Sequence, residues 1–278
     1  MPTRILHISD IHVGTREESR LERALRPLVA ELAPDLLLMS GDLTHRARRP
    51  QHERAAAFLH SLERPLVVIP GNHDIPPWSL GRFTHTFHEF DRQWAEREPV
   101  HRSETLVVVG LNSVRPWRHQ SGALSPEQVA HVARVLADAP DGALRVVALH
   151  HHMLAAPWRT WKPPLSRRTR MLAGLVDAGA ELVVAGHVHQ SAVSERREFS
   201  VVHGEERSAV VTIAPGLGQP RPRRRGEARG FHVYEAKRDT LRVLTFIWRD
   251  DDWALTADRL YPRGRTPLAS RPAERPAN

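Results

Sequence analysis

Five short stretches place metal- or proton-competent side chains at close spacing: Asp10-x-His12, Gly41-Asp42, Gly71-Asn72-His73-Asp74, His150 and Gly186-His187-Val188-His189. Together they offer three Asp, one Asn and five His. The chain contains no Cys, which excludes disulfides, thiolate metal sites and a cysteine nucleophile. Carboxylate, imidazole and amide ligands suit Mn, Fe, Co, Ni or Zn better than an all-oxygen Ca or Mg cage. The set is too large for one ion and about right for two. A carboxylate shared by two ions about 3.5–4 Å apart is how hydrolytic dimetal sites hold an attacking hydroxide in line with a leaving group. Asp10 and His12, two apart on extended backbone, are expected to point to one side, and His187 and His189 repeat that spacing. A Gly before Asp42, Asn72 and His187 allows a backbone approach that a Cβ would block. Singly, each fragment also reads as a cap or a turn. Five in order, each after an apolar run, are hard to read that way.

The runs that precede them set their positions. Residues 4–9 (RILHIS), 36–40 (LLLMS), 66–69 (LVVI), 105–111 (TLVVVGL), 145–149 (RVVAL) and 181–185 (ELVVA) read as buried strands. Between them, residues 17–32 carry Leu21, Leu25, Leu28, Val29 and Leu32 on one helical face, and 51–62 and 167–177 also read as helices. Ser125 caps a helix through Leu136, with Pro126 at its first position and Gln128 closing a capping box. Strands alternating with helices predict an α/β layer fold, whose ligands sit outside the carboxyl ends of the strands. The pattern then turns to strands alone, at 192–197, 209–214, 230–235 and 241–248, predicting a second sheet packed against or extending the first. Residues 262–278, rich in Pro, Arg and Ala, read as a disordered tail after one domain spanning 1–261.

Over 278 residues the balance is +8, nearly all of it Arg, which favours anionic partners. Scattered arginines also fit a plain codon-usage bias, and only 221–229 (RPRRRGEAR) is dense, either a phosphate-binding patch or an exposed loop. No apolar run approaches the roughly 18 residues of a membrane span, and the amino-terminal stretch lacks the apolar core of a secretory signal, so the expected compartment is the cytoplasm.

These motifs, spread over residues 4–248, resemble those of the calcineurin-like metallophosphoesterase superfamily, most of all the small bacterial class III cyclic-nucleotide phosphodiesterases. Residues 122–136 (GALSPEQVAHVARVL) and 229–234 (RGFHVY) add to the likeness. The resemblance implies a four-layer α/β/β/α sandwich with two mixed β-sheets and two divalent transition metals, Mn, Fe, Zn or Co. It implies that Asp10, His12 and His189 hold the first ion, that Asn72, His150 and His187 hold the second, and that Asp42 bridges. His73 would donate a proton to the leaving oxygen or a hydrogen bond to the phosphoryl group, with Asp74 orienting its ring. The implied reaction is hydrolysis of a small phosphodiester, a 3′,5′-cyclic nucleotide first, by in-line attack of a metal-bridging hydroxide.

One departure is His150-His151-His152-Met153, where the cyclic-nucleotide group usually has His-His-Pro. His150 directly ends its strand and is taken as the ligand, with His151 the alternative, and His152 reads as substrate-facing or as a solvated loop residue, the second preferred. Residues 155–170 carry Trp158 and Trp161 among five basic residues, either a flap over substrate or a packed edge. Residues 76–94, with Trp78, His85 and His88, face the same choice, and there packing is the preferred expectation. Rival readings are a DNA-processing nuclease, a phosphomonoesterase or lipid pyrophosphatase of the same superfamily, and a non-catalytic nucleic-acid-binding scaffold. The oligomeric state, a dimer included, stays open.

Overall fold

A computed structural model describes residues 2–15, 18–156, 160–190, 199–203, 207–218 and 227–263. The strand β1 (Thr3–Ile8) is followed by α1 (Glu18–Leu32), β2 (Leu36–Met39), α2 (Arg49–His60) and β3 (Leu66–Val68). Two single turns, α3 (Gly81–Thr84) and α4 (His88–Asp91), precede β4 (Val100–Arg102), β5 (Leu106–Leu111), α5 (Pro126–Ala137) and β6 (Leu144–Leu149). Then come α6 (Arg168–Asp177), β7 (Leu182–Ala185), β8 (Phe199–His203), β9 (Ser208–Ile213), β10 (Gly230–Ala236), β11 (Thr240–Arg249) and β12 (Asp252–Pro262). The capping box of α5 is present: Ser125 Oγ accepts from Gln128 N at 3.3 Å, and Gln128 Oε1 accepts from Ser125 N at 2.8 Å.

Two six-stranded sheets form, in the orders β12-β11-β10-β1-β2-β3 and β4-β5-β6-β7-β9-β8, each mixing parallel and antiparallel pairs. Side chains alternate across a strand, so a run such as LLLM serves both faces of its sheet. Leu36 and Leu38 enter the layer between the sheets with Val108, Val146 and Val184, while Leu37 and Met39 face Leu25, Val29 and Leu59 of the helices. The second sheet packs its other face on Val132, Leu136, Leu172 and Leu175 of α5 and α6. Three apolar layers between four layers of elements give the α/β/β/α sandwich.

The carboxyl-terminal strands do not form a sheet of their own. β9 pairs parallel with β7, and β10 pairs antiparallel with β1, so both sheets are completed from the end of the chain. β4, β8 and β12 were not anticipated, being short or lying at a sheet edge. β12 has no buried residue and meets β11 across a bulge at Thr245/Phe246, with Arg242 and Asp258 paired at 2.6 Å on its surface. The predicted tail begins too early: β12 includes Pro262, and Arg263 Nε bonds Glu181 Oε1 at 3.0 Å. Residues 264–278, the strand expected at 192–197, Trp158 and residues 221–226 lie outside the described residues.

Candidate metal centre

β1, β2, β6 and β7 end side by side, and their carboxyl-terminal loops converge. The loops after β1 and β2 run together, with Asp10 N bonded to Gly41 O at 2.9 Å and His12 N to Asp42 O at 3.1 Å. Asp10 and His12 do not lie on the extended backbone expected of them, nor do His187 and His189: their φ values are +55°, +45°, +76° and +56°, and that of Asp42 is +55°. The strands have already ended at Ile8 and Ala185, and left-handed residues turn the side chains inward. Such backbone costs non-glycine residues energy and clusters at functional sites. Close approach is as expected at two glycines. A Cβ on Gly186 would stand 1.9 Å from Ser9 Oγ, and one on Gly71 2.2 Å from Asp42 N.

Ligand atoms of Asp10, His12, Asp42 and His189 lie within 4.8 Å of one another, as do those of Asp42, His150 and His187. All six residues are at most 1% exposed. Each carboxylate has one oxygen held and one left over. Asp10 Oδ2 accepts from Ser9 Oγ at 2.6 Å and His187 N at 3.0 Å, and Asp42 Oδ1 accepts from His73 N at 2.8 Å. Asp10 Oδ1 and Asp42 Oδ2 receive no hydrogen bond, though they face imidazole nitrogens: His189 Nε2 is 2.9 Å from the first, and His12 Nε2 is 3.8 Å from both. His12 Nε2 and His189 Nε2 are 3.1 Å apart. On the other side, His150 Nε2 lies 3.3 Å from Asp42 Oδ1, 3.2 Å from Asn72 Oδ1 and 3.3 Å from His187 Nδ1. Ligands about 2.1 Å from one ion at right angles are about 3 Å apart, so these spacings fit cations between them.

Carbonyls set the rings. His12 Nδ1 donates to Thr44 O at 3.3 Å and His150 Nδ1 to Ser40 O at 2.8 Å, so that each Nε2 faces the cluster and is the nitrogen left to ligate once it is unprotonated. Charge agrees. Burial pushes the Asp42 carboxyl up, but the surrounding imidazoles, His150 foremost, more than offset this and hold it well below its ordinary range. Asp10 is lowered in the same way, His189 foremost. Burial lowers His12, His187 and His189, favouring the neutral, ligating form. Burial also opposes the charge on His150, yet the adjacent Asp42 carboxylate outweighs it and pushes the pKa up to about 9. Among the described residues, no Lys or Arg pairs with Asp10 or Asp42. Two buried carboxylates with orphaned oxygens and converging imidazoles form a cage that cations complete.

Three sequence expectations change. Asp74 does not orient the His73 ring: its carboxylate accepts from Gly71 N (2.8 Å), Leu43 N (3.1 Å), Thr44 N (2.9 Å) and Thr44 Oγ1 (3.1 Å), binding the two loops together. The His73 ring is held by the carbonyl of His45, 3.0 Å from its Nδ1. His152 is buried, not solvated, and stacks on His187 at 5.7 Å. Trp78 is 80% exposed rather than packed, and lines a cleft over the cluster. In the same stretch Phe87, Phe90 and Trp94 do pack, while His85 and His88 are exposed. His151 lies beside the cluster, with Nδ1 2.8 Å from Ser113 Oγ and its ring 4.7 Å from that of His187.

The cleft has a volume of about 720 Å³, and Asn72, His73 and His189 open onto it with Arg46, Trp161 and Lys162. Sequence reasoning missed His45, whose ring stacks on His73 at 6.0 Å; Lys162, one of the basic residues of the stretch 155–170 read as a flap or a packed edge, donates from Nζ to the His187 carbonyl. Neither stands in a motif. Among the described residues, no helix is long and apolar enough to cross a membrane.

Known proteins resemble the chain in sequence and in fold. The chain is 36% identical over 220 residues to a 3′,5′-cyclic-nucleotide phosphodiesterase of Nostoc sp., covering 73% of this chain and 76% of that one. It is 28% identical over 205 residues to the 3′,5′-cyclic adenosine monophosphate phosphodiesterase CpdA of Escherichia coli (strain K12), covering 67% and 70%. A dimetal phosphatase from Danio rerio superposes with a TM-score of 0.63 at 13% identity, over 92% of this chain and 99% of that one, which shows the shared fold. Residues 3–191, which carry all five stretches of metal- or proton-competent residues, match the family described as Calcineurin-like phosphoesterase; the chain belongs to that family and is a metal-dependent phosphoesterase.

Proposed function

We propose that the chain hydrolyses a small phosphodiester, a 3′,5′-cyclic nucleotide first among them, at a dinuclear centre. One observation carries the reading: two buried clusters share Asp42, and each contributes carboxylate oxygen and imidazole nitrogen at ligand spacing. Asp10, His12, Asp42 and His189 would hold one divalent transition ion, and Asp42, Asn72, His150 and His187 the other. When bound, the two ions supply an acidified water and polarise the phosphoryl oxygens. The chain's own groups do the rest. His73 opens onto the cleft with Nδ1 fixed on the His45 carbonyl. With Nδ1–H committed to that carbonyl, Nε2 can hand a proton to the departing oxygen from the doubly protonated ring. Lys162 and Arg46 line the same cleft and offset the charge of a phosphate there. The relatives named as cyclic-nucleotide phosphodiesterases support this substrate class.

The test is hydrolysis of 3′,5′-cyclic AMP and of bis(p-nitrophenyl) phosphate by the metal-loaded chain, with metal content measured alongside. Asp42→Asn and His189→Ala are expected to abolish both activities and to lower bound metal. Full activity in either variant would overturn the assignment.

A further inference from the structure

Beside the phosphate-facing groups, the cleft carries side chains that the hydrolytic reaction does not use. Trp78 and Trp161, from segments far apart in the sequence, are 80% and 85% exposed, and both line it. A tryptophan normally buries most of its large ring, so two indoles in the open beside a reaction site call for a ligand. His119 lies against Trp78 with ring centroids 4.3 Å apart at 45°, widening that platform.

The platform is anchored. Arg82 is only 5% exposed and, among the described residues, has no carboxylate partner. Its guanidinium donates to three carbonyls: Pro116 O at 2.6 Å, Pro76 O at 2.9 Å and Arg118 O at 3.0 Å. The fork joins the stretch before Trp78 to the stretch before His119, so the two rings are held together before any ligand arrives. A fixed platform loses little freedom on binding. The other lining groups decide what it binds. Gln120, Arg46, Lys162 and Glu227 interrupt the apolar surface, leaving Ile75 and Pro77 as the aliphatic part. An acyl chain needs a continuous aliphatic wall; a flat heteroaromatic ring needs π-faces with polar groups at its edge.

We propose that Trp78, with His119 behind it, and Trp161 form a nucleobase-binding mouth that selects nucleotides over base-free phosphoesters. The proposal rests on the reading of the cluster below as a phosphodiesterase centre, and it assigns substrate choice to residues outside that cluster. Stacking on an aromatic side chain is worth roughly 5- to 150-fold in affinity per base.

Calorimetric titration of the full-length, Mn-loaded protein tests this with AMP and ribose 5-phosphate, which differ in the base. AMP is expected to bind roughly 5- to 150-fold more tightly. Trp78→Ala and Trp161→Ala are each expected to remove most of that preference. Trp117→Ala is the control, since Trp117 is 71% exposed but does not line the cleft, and it is expected to keep the preference. Equal binding of the two ligands overturns the proposal, as does a preference that survives both cleft variants. Octyl phosphate binding more tightly than AMP, with the same dependence on Trp78 and Trp161, would assign the surface to an acyl chain and also overturns it. A Trp-dependent AMP preference without hydrolysis of any cyclic nucleotide supports the base site and sinks the hydrolytic reading, so the two fail separately.

Discussion

Gly186→Ala adds one methyl group where the loop after β7 crosses the loop after β1. The φ of Gly186 lies outside the left-handed range, so alanine carries no backbone penalty and the effect is steric. Its Cβ would stand 1.9 Å from Ser9 Oγ, 2.6 Å from Asp10 Oδ2 and 2.9 Å from Ser9 Cβ. None of these atoms is free to leave. Ser9 is fully buried and donates to Asp10 Oδ2 at 2.6 Å, and the same oxygen accepts from His187 N at 3.0 Å. Relief requires the two loops to part by about 1 Å in a close-packed interior, at a cost of about 1–3 kcal/mol in stability. The displacement separates Asp10 from His187 and His189, and a shift of that size costs about a hundredfold in rate. Three measurements check this: kcat/KM on bis(p-nitrophenyl) phosphate, bound metal, and the urea midpoint. Ser9→Ala in the same chain removes the shortest contact but not the one with Asp10, so it is expected to recover part of the loss. A Gly186→Ala protein with kcat/KM within about twofold of the parent would refute the claim that this crossing fixes the centre.

His73→Ala is expected to retain both metals by elemental analysis while slowing turnover, more for diesters with poor leaving groups than for nitrophenyl esters; an equal loss on both rejects the proton-donor role. Acid should weaken the fold through His232, whose pKa burial pushes down to about 4 against the opposing pull of its carbonyl contacts. The unfolded chain takes up that proton near the ordinary value of 6.5 and the folded chain does not, so stability present at neutral pH is lost as pH falls from about 6.5 toward 4. From pH 7 to 5 the loss from this residue is about 2 kcal/mol, read from urea midpoints. His232→Gln cannot protonate and is expected to flatten that slope; an unchanged slope refutes the assignment.

What the sequence revealed depended on whether burial or three-dimensional neighbours decided the outcome. Runs such as LLLM and LVVA were legible because strands buried on both faces leave no polar alternation, and the residues ending them had to lie at one rim. The grouping of Asp10, Asp42, His150, His187 and His189 followed from that order. Their left-handed backbone did not, because non-glycine residues carry no mark of it in their type. Asp74 was misread for a related reason: a carboxylate next to a histidine in sequence is as ready to accept backbone amides as to orient an imidazole. β12 was missed because an edge strand facing solvent shows no apolar pattern. Trp78 was assigned to packing because a lone aromatic in an irregular stretch is the same letter whether it fills a core or lines a cleft.

The place of β1 has a consequence for how the protein is made. It is translated before every other described strand, yet it lies between β2 and β10, and β10 is not translated until Gly230–Ala236. Asp10 likewise waits for His189. Until β10 is made, then, the nascent chain carries a half-paired apolar strand with an open ladder edge, an invitation to aggregation. A product terminated before Gly230 would hold every metal-binding motif in its sequence and still leave that edge exposed.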